Sequence, residues 1–392
     1  MAFEPLASDF YGYESLLTDR EKSFIADLRS YLETDVKPIV NEHWEKAEFP
    51  ASIIPGLHGL GTIGLGYEET RAFENSAVFR GWVALELSRV DASVSTYVGV
   101  QNGLALGAVA ITGSPEQRAE WLPKLASGEV LSAFALTEPL SGSDSARGLR
   151  TIATRDGDNW VLNGSKRWIG NATFSDMTIV WARSTEDDQV KGFMVPTSTP
   201  GYTATKMEGK QSLRMVQNAD ITLENVVVPE SLRLQNANSF KDTAAVLRQT
   251  RAEVAWSAIG VAVGAYEAAL RYATERTQFG KPLAAHQLVQ DLLVKSVGNI
   301  TASIALCTRA SEMLDRGEQL DEHSALAKAY ATSRMRETVA WSREILGGNG
   351  ILIDYDVARF FADAEALYSY EGTREMNTLI VGRSITGHAA FA

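Results

Sequence analysis

The sequence predicts an α+β chain in which helical, β and helical regions follow one another, and three observations carry that expectation. Apolar residues recur at helical spacing through the first third. Short apolar runs broken by turn residues replace them between about 131 and 235, and helical spacing then returns. The 392 residues, 45% of them hydrophobic, suffice for two or three domains, with boundaries expected at 1–130, 131–238 and 239–392.

In the first region Thr18-Asp-Arg-Glu21 has the spacing of a capping box. Phe24, Ile25, Leu28, Leu32, Val36 and Ile39 then share one helical face, with Pro38 as its kink or stop. Further helices are expected at about 75–90, 93–112 and 115–126. In the middle, 131–136, 177–181 and 192–195 read as strands, and Asn163-Gly164 reads as the turn of a two-residue hairpin. In the last region Val289, Leu292, Leu293, Val297, Ile300 and Ile304 line one face of a long helix, and 325–346 makes another. Small residues crowd a third stretch (Ala255, Ser257, Ala258, Gly260, Ala262, Gly264 and Ala265), which lets helices approach closely in a bundle.

Composition excludes several function classes. With 49 acidic against 37 basic side chains the net charge is −12, which repels phosphate backbones, so no nucleic-acid partner is expected. The single cysteine, Cys307, permits no intramolecular disulfide and reads as a packed, inert thiol. The nearly uncharged stretch Val254 to Tyr266 is too short to span a bilayer and reads as a buried helix, so no membrane insertion is expected. The N-terminus shows no presequence pattern and His388-Ala-Ala-Phe-Ala392 no peroxisomal tripeptide, from which a cytoplasmic location is expected. Gly59-Leu-Gly61-Thr-Ile-Gly64 matches a dinucleotide fingerprint but lacks a preceding strand and βαβ context, and reads as a loop between helices. The five histidines have no metal-ligand spacing, and no metal is expected.

Five segments remain, each of which taken alone is equally a turn or a cap. Phe134-Ala-Leu136-Thr137-Glu-Pro-Leu-Ser-Gly142-Ser143-Asp144 ends a strand in hydroxyls, glycine and backbone donors that can grip a polar ring and a phosphate. Lys166-Arg-Trp168-Ile-Gly-Asn171 sets an aromatic beyond the expected hairpin. Arg276-Thr-Gln278-Phe279-Gly280 closes a long helix with a cation, an amide and an aromatic, and Leu346-Gly-Gly348-Asn-Gly350 stops another helix. Tyr368-Ser-Tyr370-Glu371-Gly372-Thr373 places one carboxylate between an aromatic and a glycine where a helix begins; buried there, it would become a base near neutral pH.

In order and spacing these segments resemble the acyl-CoA dehydrogenase and acyl-CoA oxidase superfamily from about residue 20 to 390. Lys166–Asn171 and Leu213-Arg-Met-Val-Gln-Asn218 are most similar to the glutaryl-CoA dehydrogenase and plant short-chain acyl-CoA oxidase branches. The resemblance implies a helical N-domain, a β-barrel-like middle domain and a C-terminal four-helix bundle, in a homotetramer built as a dimer of dimers. It also implies FAD, acyl-CoA substrates and β-oxidation chemistry, with electrons passed to electron-transferring flavoprotein. Phe134, Leu136, Thr137, Gly142, Ser143 and Trp168 match positions that hold the flavin ring and part of its pyrophosphate. Arg276, Gln278 and Phe279, with Glu344, Gly348 and Thr373, match those around the adenine half contributed across a subunit boundary. Ser143, Arg251 and Tyr370 match positions lining the acyl-CoA channel, and Glu371 matches the base that removes the α-proton while flavin N5 takes the β-hydride. Long-chain and isovaleryl-type members keep their base just before the arginine of a bundle helix. Thr250 stands there, and a hydroxyl is no base at neutral pH.

The sequence departs from the pattern in two ways. Ser88 and Ser95 replace the charged pair that holds a dicarboxylic substrate in the glutaryl enzymes, so a simple short to medium acyl chain, oxidised without decarboxylation, is expected. Gly170 replaces the threonine that most dehydrogenases offer to flavin N5, and the plant oxidases share that glycine. Reduction of oxygen to hydrogen peroxide is therefore the alternative to a flavoprotein acceptor. A non-catalytic acyl-CoA-binding protein and a glutaryl-CoA dehydrogenase are the remaining alternatives.

Overall fold

A computed structural model describes residues 3–390; Met1, Ala2, Phe391 and Ala392, which belong to the termini read for targeting signals, lie outside them. Helix α1 (Asp19–Tyr31) starts at the expected capping box, in which Thr18 Oγ1 accepts from the Glu21 amide and the Glu21 carboxylate accepts from the Thr18 amide at 2.8 Å. Its apolar face continues through a π-helical stretch, Leu32–Val36, into α2 (Lys37–Lys46). Pro38 therefore does not end the helical path: it sits at the start of α2, directly after the π-helical stretch, where the widened turn accommodates its ring and its missing N–H. The G-x-G-x-x-G pattern runs from the end of α3 (Ile54–Gly59) into a loop, with a helix before it.

Helix α4 (Ala77–Val90) precedes a continuous helical path made of α5 (Ala92–Gly99), a π-helical stretch (Val100–Leu106) and α6 (Gly107–Thr112); α7 (Pro115–Ser127) follows. The path Ala92–Thr112 is long and apolar enough to cross a membrane, but 72% of its most apolar window is buried inside the protein, as befits a core helix.

The middle region is a seven-stranded sheet of β1 (Ser132–Ala135), β2 (Ile152–Asp156), β3 (Asn159–Ile169), β4 (Met177–Ser184), β5 (Val190–Pro196), β6 (Tyr202–Lys206) and β7 (Ala219–Pro229), with a short α8 (Ser145–Gly148) after β1. Strand β4 pairs β1 and β2 in parallel and β5 antiparallel; β3, β7 and β6 extend the sheet antiparallel beyond β2. The central strands are apolar on both faces. Ala133, Ala135, Val180, Ala182, Phe193 and Val195 fill the sheet's own core, while Phe134, Leu136, Met177, Ile179, Trp181 and Met194 join the helical core.

One expectation fails here. Strand β3 runs straight through Asn163-Gly164, and the two-residue hairpin loop is Gly157-Asp158, flanked by the pair Asp156 and Asn159. The Asn-Gly pair instead marks an irregularity against β7: Asn163 Oδ1 accepts from the Asn225 amide at 2.8 Å, and a Cβ on Gly164 would lie 2.7 Å from Thr151 Cα. Glycine is needed for close backbone approach, not for a turn.

Helices α9 (Phe240–Glu275), α10 (Gln287–Asp315), α11 (Asp321–Ile345) and α12 (Val357–Ser369) form the bundle, and α13 (Arg374–Thr386) packs on α11. A two-stranded ribbon, β8 (Thr277–Gln278) and β9 (Lys281–Pro282), joins α9 to α10. The small-residue face of α9 packs against α4 at near backbone contact. A Cβ on Gly260 would meet Leu85 O at 2.2 Å, and one on Gly264 would meet Arg89 O at 2.3 Å. Asp91 joins the N-terminal helices to the bundle: Oδ1 caps α5 at the Ser93 and Val94 amides (2.7 and 3.0 Å), and Oδ2 pairs with Arg359 of α12. Cys307 is buried, and burial pushes its thiol up to about 12, which keeps it inert.

This packing fixes the cost of altering the α4–α9 contact. Gly260→Ala is expected to destabilise the protein by about 1–3 kcal/mol, because the added methyl meets backbone that cannot yield. Gly298→Ala, on α10 with open space around it, should leave the melting temperature unchanged or slightly raised. Calorimetry of both variants checks the pair, and equal melting temperatures would contradict it.

Candidate active site

Residues 370–373 link α12 to α13, and two of them hold left-handed backbone: Glu371 at φ 54° and Gly372 at φ 80°. The second is natural for glycine, but the first costs energy for any side-chain-bearing residue and needs outside support. That support comes from Lys328 of α11, a lysine with no exposed surface. Its ammonium donates to the carbonyls of Tyr370 and Gly372, one on each side of Glu371. Asn377 of α13 donates to the Gly372 and Thr373 carbonyls at 2.8 and 3.0 Å, and Thr373 caps α13 by accepting from the Met376 amide. Burial pulls Lys328 down to about 8, partly countered by the charge of Glu371.

The Glu371 carboxylate is thereby held at one point. Thr250 donates to its Oε2 at 2.7 Å, while Oε1 accepts from no group among the described residues. Burial raises the Glu371 pKa above the usual carboxylate range; the Thr250 hydrogen bond and the charges of Lys328 and Arg251 act in the opposite direction. Thr250 and Arg251 sit within α9, the first bundle helix, rather than at a helix start. Arg251 lies against the base loop, its Nε 3.9 Å from where a Cβ on Gly372 would be. Tyr370 lies beside Thr96, and burial pushes its phenol upward.

A cavity of about 500 Å³ opens between α4, the helical path Ala92–Thr112 and α9, with Gln249, Ala252, Glu253 and Trp256 on the α9 side. Thr250 lies on the adjoining face of the same helix, its Cγ2 3.0 Å from where a Cβ on the cavity-lining Gly103 would be, so the cavity adjoins the residue that anchors Glu371.

The second group of predicted residues gathers at the ends of β1 and β3. Thr137 O accepts from the Arg167 amide at 2.8 Å, which ties the two strand ends together. The turn after Thr137 is pinned from below by Glu138, whose carboxylate accepts from the Arg150 and Thr151 amides and from the buried Lys166 (2.7, 2.9 and 2.8 Å). Lys166 also donates to the carbonyls of Leu136 and Trp181. Above this support Gly142 and Ser143 are exposed, and among the described residues their amides donate to no protein acceptor. Trp168, at φ 65°, turns its indole outward with 53% of its surface exposed. Its carbonyl is held by Asn218, which is itself held by Lys210 at 2.6 Å. Phe134 and Leu136 are buried beneath. Unused amides, the Thr137 and Ser143 hydroxyls and an outward aromatic face suit a planar ring with polar edges and an adjoining phosphate, so the residues fit FAD.

The helical path Ala92–Thr112 connects this cradle to the base. A Cβ on Gly170 would lie 3.4 Å from Val100 Cγ2, while a Cβ on Gly103 would lie 3.0 Å from Thr250 Cγ2 and 2.9 Å from Glu253 Oε2. Its π-helical stretch, Val100–Leu106, lies between the two, at the kind of position where such distortions mark functional sites.

Arg276, Gln278, Phe279, Glu344 and Gly348 are not part of that convergence. They are exposed at one end of the bundle, on segments that pack against α9, α11 and α12. Arg276 is the C-cap of α9, its amide donating to Tyr272 O at 2.9 Å, and Thr277 to Gly280 continue as the first half of the β8–β9 ribbon, with Phe279 (φ 51°) and Gly280 (φ 77°) as its turn. Phe279 is 94% exposed. A guanidinium, an amide and a bare phenyl ring facing solvent form half of a binding surface, which needs a second surface to cover it. Thr373 is separate from them, on the base loop. Ser88 and Ser95 are buried and satisfied, Ser88 on Ala84 O and Ser95 on Ser257 Oγ at 3.1 Å.

Sequence reasoning missed Glu138, Lys166, Lys210, Lys328 and Glu253. For Lys328 the signal was a charge inside a small, apolar run, Ser324-Ala-Leu-Ala-Lys328-Ala; Lys166 and Lys210 stand among polar neighbours and gave no such signal.

Three family profiles cover most of the chain: acyl-CoA dehydrogenase N-terminal domain at residues 18–129, middle domain at 133–226 and C-terminal domain at 240–386. An acyl-CoA dehydrogenase of Bacillus subtilis is 32% identical over 365 residues, 92% of this chain and 96% of that protein. Among solved structures, a glutaryl-CoA dehydrogenase from Mycobacterium smegmatis in complex with FADH2 superposes with a TM-score of 0.94 at 34% identity, covering 98% of each chain. The butyryl-CoA dehydrogenase of Megasphaera elsdenii superposes with a TM-score of 0.90 at 30% identity, covering 94% of this chain and 98% of that one.

The hydrogen bond from Thr250 favours the ionised form of Glu371, so its loss raises the pKa further. If Glu371 acts as a base, the rise of kcat/KM with pH moves to higher pH in Thr250→Val. An acidic limb that stays where it was would separate Thr250 from the ionisation that matters.

Proposed function

The chain belongs to the acyl-CoA dehydrogenase family, and on that premise we propose that it oxidises short to medium acyl-CoA thioesters to trans-2-enoyl-CoA with Glu371 as the base. It is a flavoprotein using FAD, and an oxidoreductase acting on a CH–CH group. The observation that carries the reading is the Glu371 carboxylate: anchored through one oxygen, without a partner at the other among the described residues, raised in pKa, and held by the helix that walls a cavity of small-molecule size.

The bound flavin supplies hydride acceptance and a polarising hydroxyl for the thioester carbonyl. The chain's own residues do the rest. Phe134, Leu136, Thr137, Gly142, Ser143 and Trp168 hold the ring and pyrophosphate at the strand ends, with Ser143 also at the substrate side. Arg251 and Tyr370 line the approach of the acyl thioester, whose binding displaces water from the half-buried Glu371 carboxylate. Glu371 Oε1 takes the α-proton as the β-hydride departs; Thr250 keeps the carboxylate from rotating away, and Lys328 keeps the loop from relaxing. Arg276, Gln278, Phe279, Glu344, Gly348 and Thr373 complete the adenine site with a second copy of the chain. That requirement supports the reading of a homotetramer, with domains divided at 130/131 and 238/239. Ser88 and Ser95 supply no cation for a second carboxylate, which supports a monocarboxylic acyl group.

Electron-transferring flavoprotein is the proposed acceptor in a cytoplasmic β-oxidation step. Gly170 favours a second reading, oxygen as acceptor. A Cβ there would meet only Val100 Cγ2 at 3.4 Å, Val216 Cγ1 at 3.6 Å and Asn218 Nδ2 at 4.0 Å, so space alone does not force the glycine.

Anaerobic addition of butyryl-CoA to the holoenzyme should bleach the flavin and form crotonyl-CoA. On admission of air the colour should return more slowly than a catalytic turnover, and Gly170→Thr should slow it further. An unbleached flavin contradicts the proposed reaction, and re-oxidation within a turnover, with peroxide released, contradicts the flavoprotein acceptor.

A further inference from the structure

The cavity beside Glu371 is not lined like a slot for an alkyl chain. Tyr67, Arg80, Asn102, Gln249 and Glu253 all reach it, with Trp256. Four of these polar groups already have a hydrogen-bond partner within the protein, although the side-chain NH2 groups of Asn102 and Gln249 donate to no acceptor among the described residues. The Tyr67 hydroxyl donates to Gln249 Oε1 at 3.0 Å, Asn102 Oδ1 accepts from the Gly64 amide at 2.8 Å, and Arg80 donates to Asn75 Oδ1 at 2.9 Å. Glu253 is the exception: among the described residues neither of its oxygens has a hydrogen-bond partner. The room around it is made by missing side chains, since a Cβ on Gly103 would lie 2.9 Å from Oε2 and one on Gly99 3.7 Å from Oε1.

Glu253 follows Thr250 by three positions on α9, so it stands one helical turn from the hydroxyl that anchors the base. An acyl chain with its α-carbon at Glu371 would run past it. A saturated chain would strip water from this carboxylate and return no bond, a penalty that a substrate with a suitably placed donor avoids. Burial and the charge of Glu371 push Glu253 up to about 7, with Arg80 acting oppositely, so both protonation states are populated near neutrality. A hydroxyl serves either state, donating to the carboxylate or accepting from the acid, whereas an ammonium serves only one and is repelled by Arg80. A second carboxylate on the substrate is disfavoured. Glu74, Glu253 and Asp315 line the cavity against Arg71 and Arg80, and those guanidiniums already pair with Glu74 and Asn75.

We infer that Glu253 is a specificity-determining residue, selecting acyl thioesters that carry a hydroxyl beyond the β-carbon over plain alkyl thioesters of equal length. The inference rests on the proposed site for the position of the thioester, and deepens it by naming the acyl class.

Binding tests it without turnover. The Glu371→Gln holoenzyme is titrated with ω-hydroxypentanoyl- and ω-hydroxyhexanoyl-CoA and with pentanoyl- and hexanoyl-CoA, and Kd is read from the flavin absorbance. The hydroxyacyl ligands should bind about tenfold more tightly, as one well-placed hydrogen bond allows. Adding Glu253→Leu should reverse the ratio, and adding Glu253→Gln, which keeps a donor and an acceptor, should preserve it. Equal or tighter binding of the alkyl ligands in Glu371→Gln overturns the inference, as does a ratio unmoved by Glu253→Leu. Butyryl-CoA, too short to use Glu253, separates the two claims. If it bleaches the wild-type flavin while the ratio is flat, only the selectivity fails; if the ratio holds and no thioester bleaches the flavin, only the proposed reaction fails.

Discussion

The arrangement depends on one buried ammonium. Glu371 adopts a left-handed backbone that its side chain disfavours, and Lys328 offsets that cost by bonding the carbonyls on either side of it. A lysine with no exposed surface is itself costly, and the two carbonyls together with the nearby carboxylate stabilise its charge. The strain and the buried charge are therefore solved together, and neither would persist alone. The result is a carboxylate that leaves the end of α12 at a fixed angle and meets Thr250 of α9.

That meeting point exists because α9 can lie almost backbone to backbone against α4. Gly260 and Gly264 remove the side chains that would hold the helices apart, and the glycines at 99 and 103 on the neighbouring path leave room for Glu253 and Thr250. Close packing along one part of the α4–α9 contact thus coexists with a cavity at another. The path Ala92–Thr112 carries the same economy to the sheet, touching Gly170 at one point and Thr250 at another. Base, cavity and cradle are positioned by a single core helix, while the exposed ribbon around Phe279 is left for a second copy of the chain.

Features governed by local pattern were legible in the sequence. The period of the apolar residues gave the order of helices and strands. The Thr18–Glu21 box formed as expected, and a helix begins at Thr373 as Tyr370-Glu371-Gly372-Thr373 implied, although only the resemblance singled out its carboxylate. Features governed by distant contacts were not legible. Asn163-Gly164 has the composition of a turn, but the approach of Thr151 requires glycine within a strand, so the local rule chose the wrong loop. Lys166 lies in a polar stretch beside Arg167 and Lys328 in a small-residue helix, and only the folded chain shows that carbonyls and carboxylates surround them. Arg276 does close α9 as its spacing implied, but the ribbon that follows was hidden, because a cap and a tight ribbon turn both want glycine with positive φ.

The central claim is that the Glu371 carboxylate removes the α-proton. Single-turnover reduction of the flavin by butyryl-CoA in Glu371→Gln, measured anaerobically with butyryl-CoA affinity determined in parallel, tests it most directly. The account predicts a rate at least about 10²–10⁴ lower than in the wild type with affinity nearly unchanged, because the amide keeps the shape and loses the basicity. Reduction at the wild-type rate would contradict it.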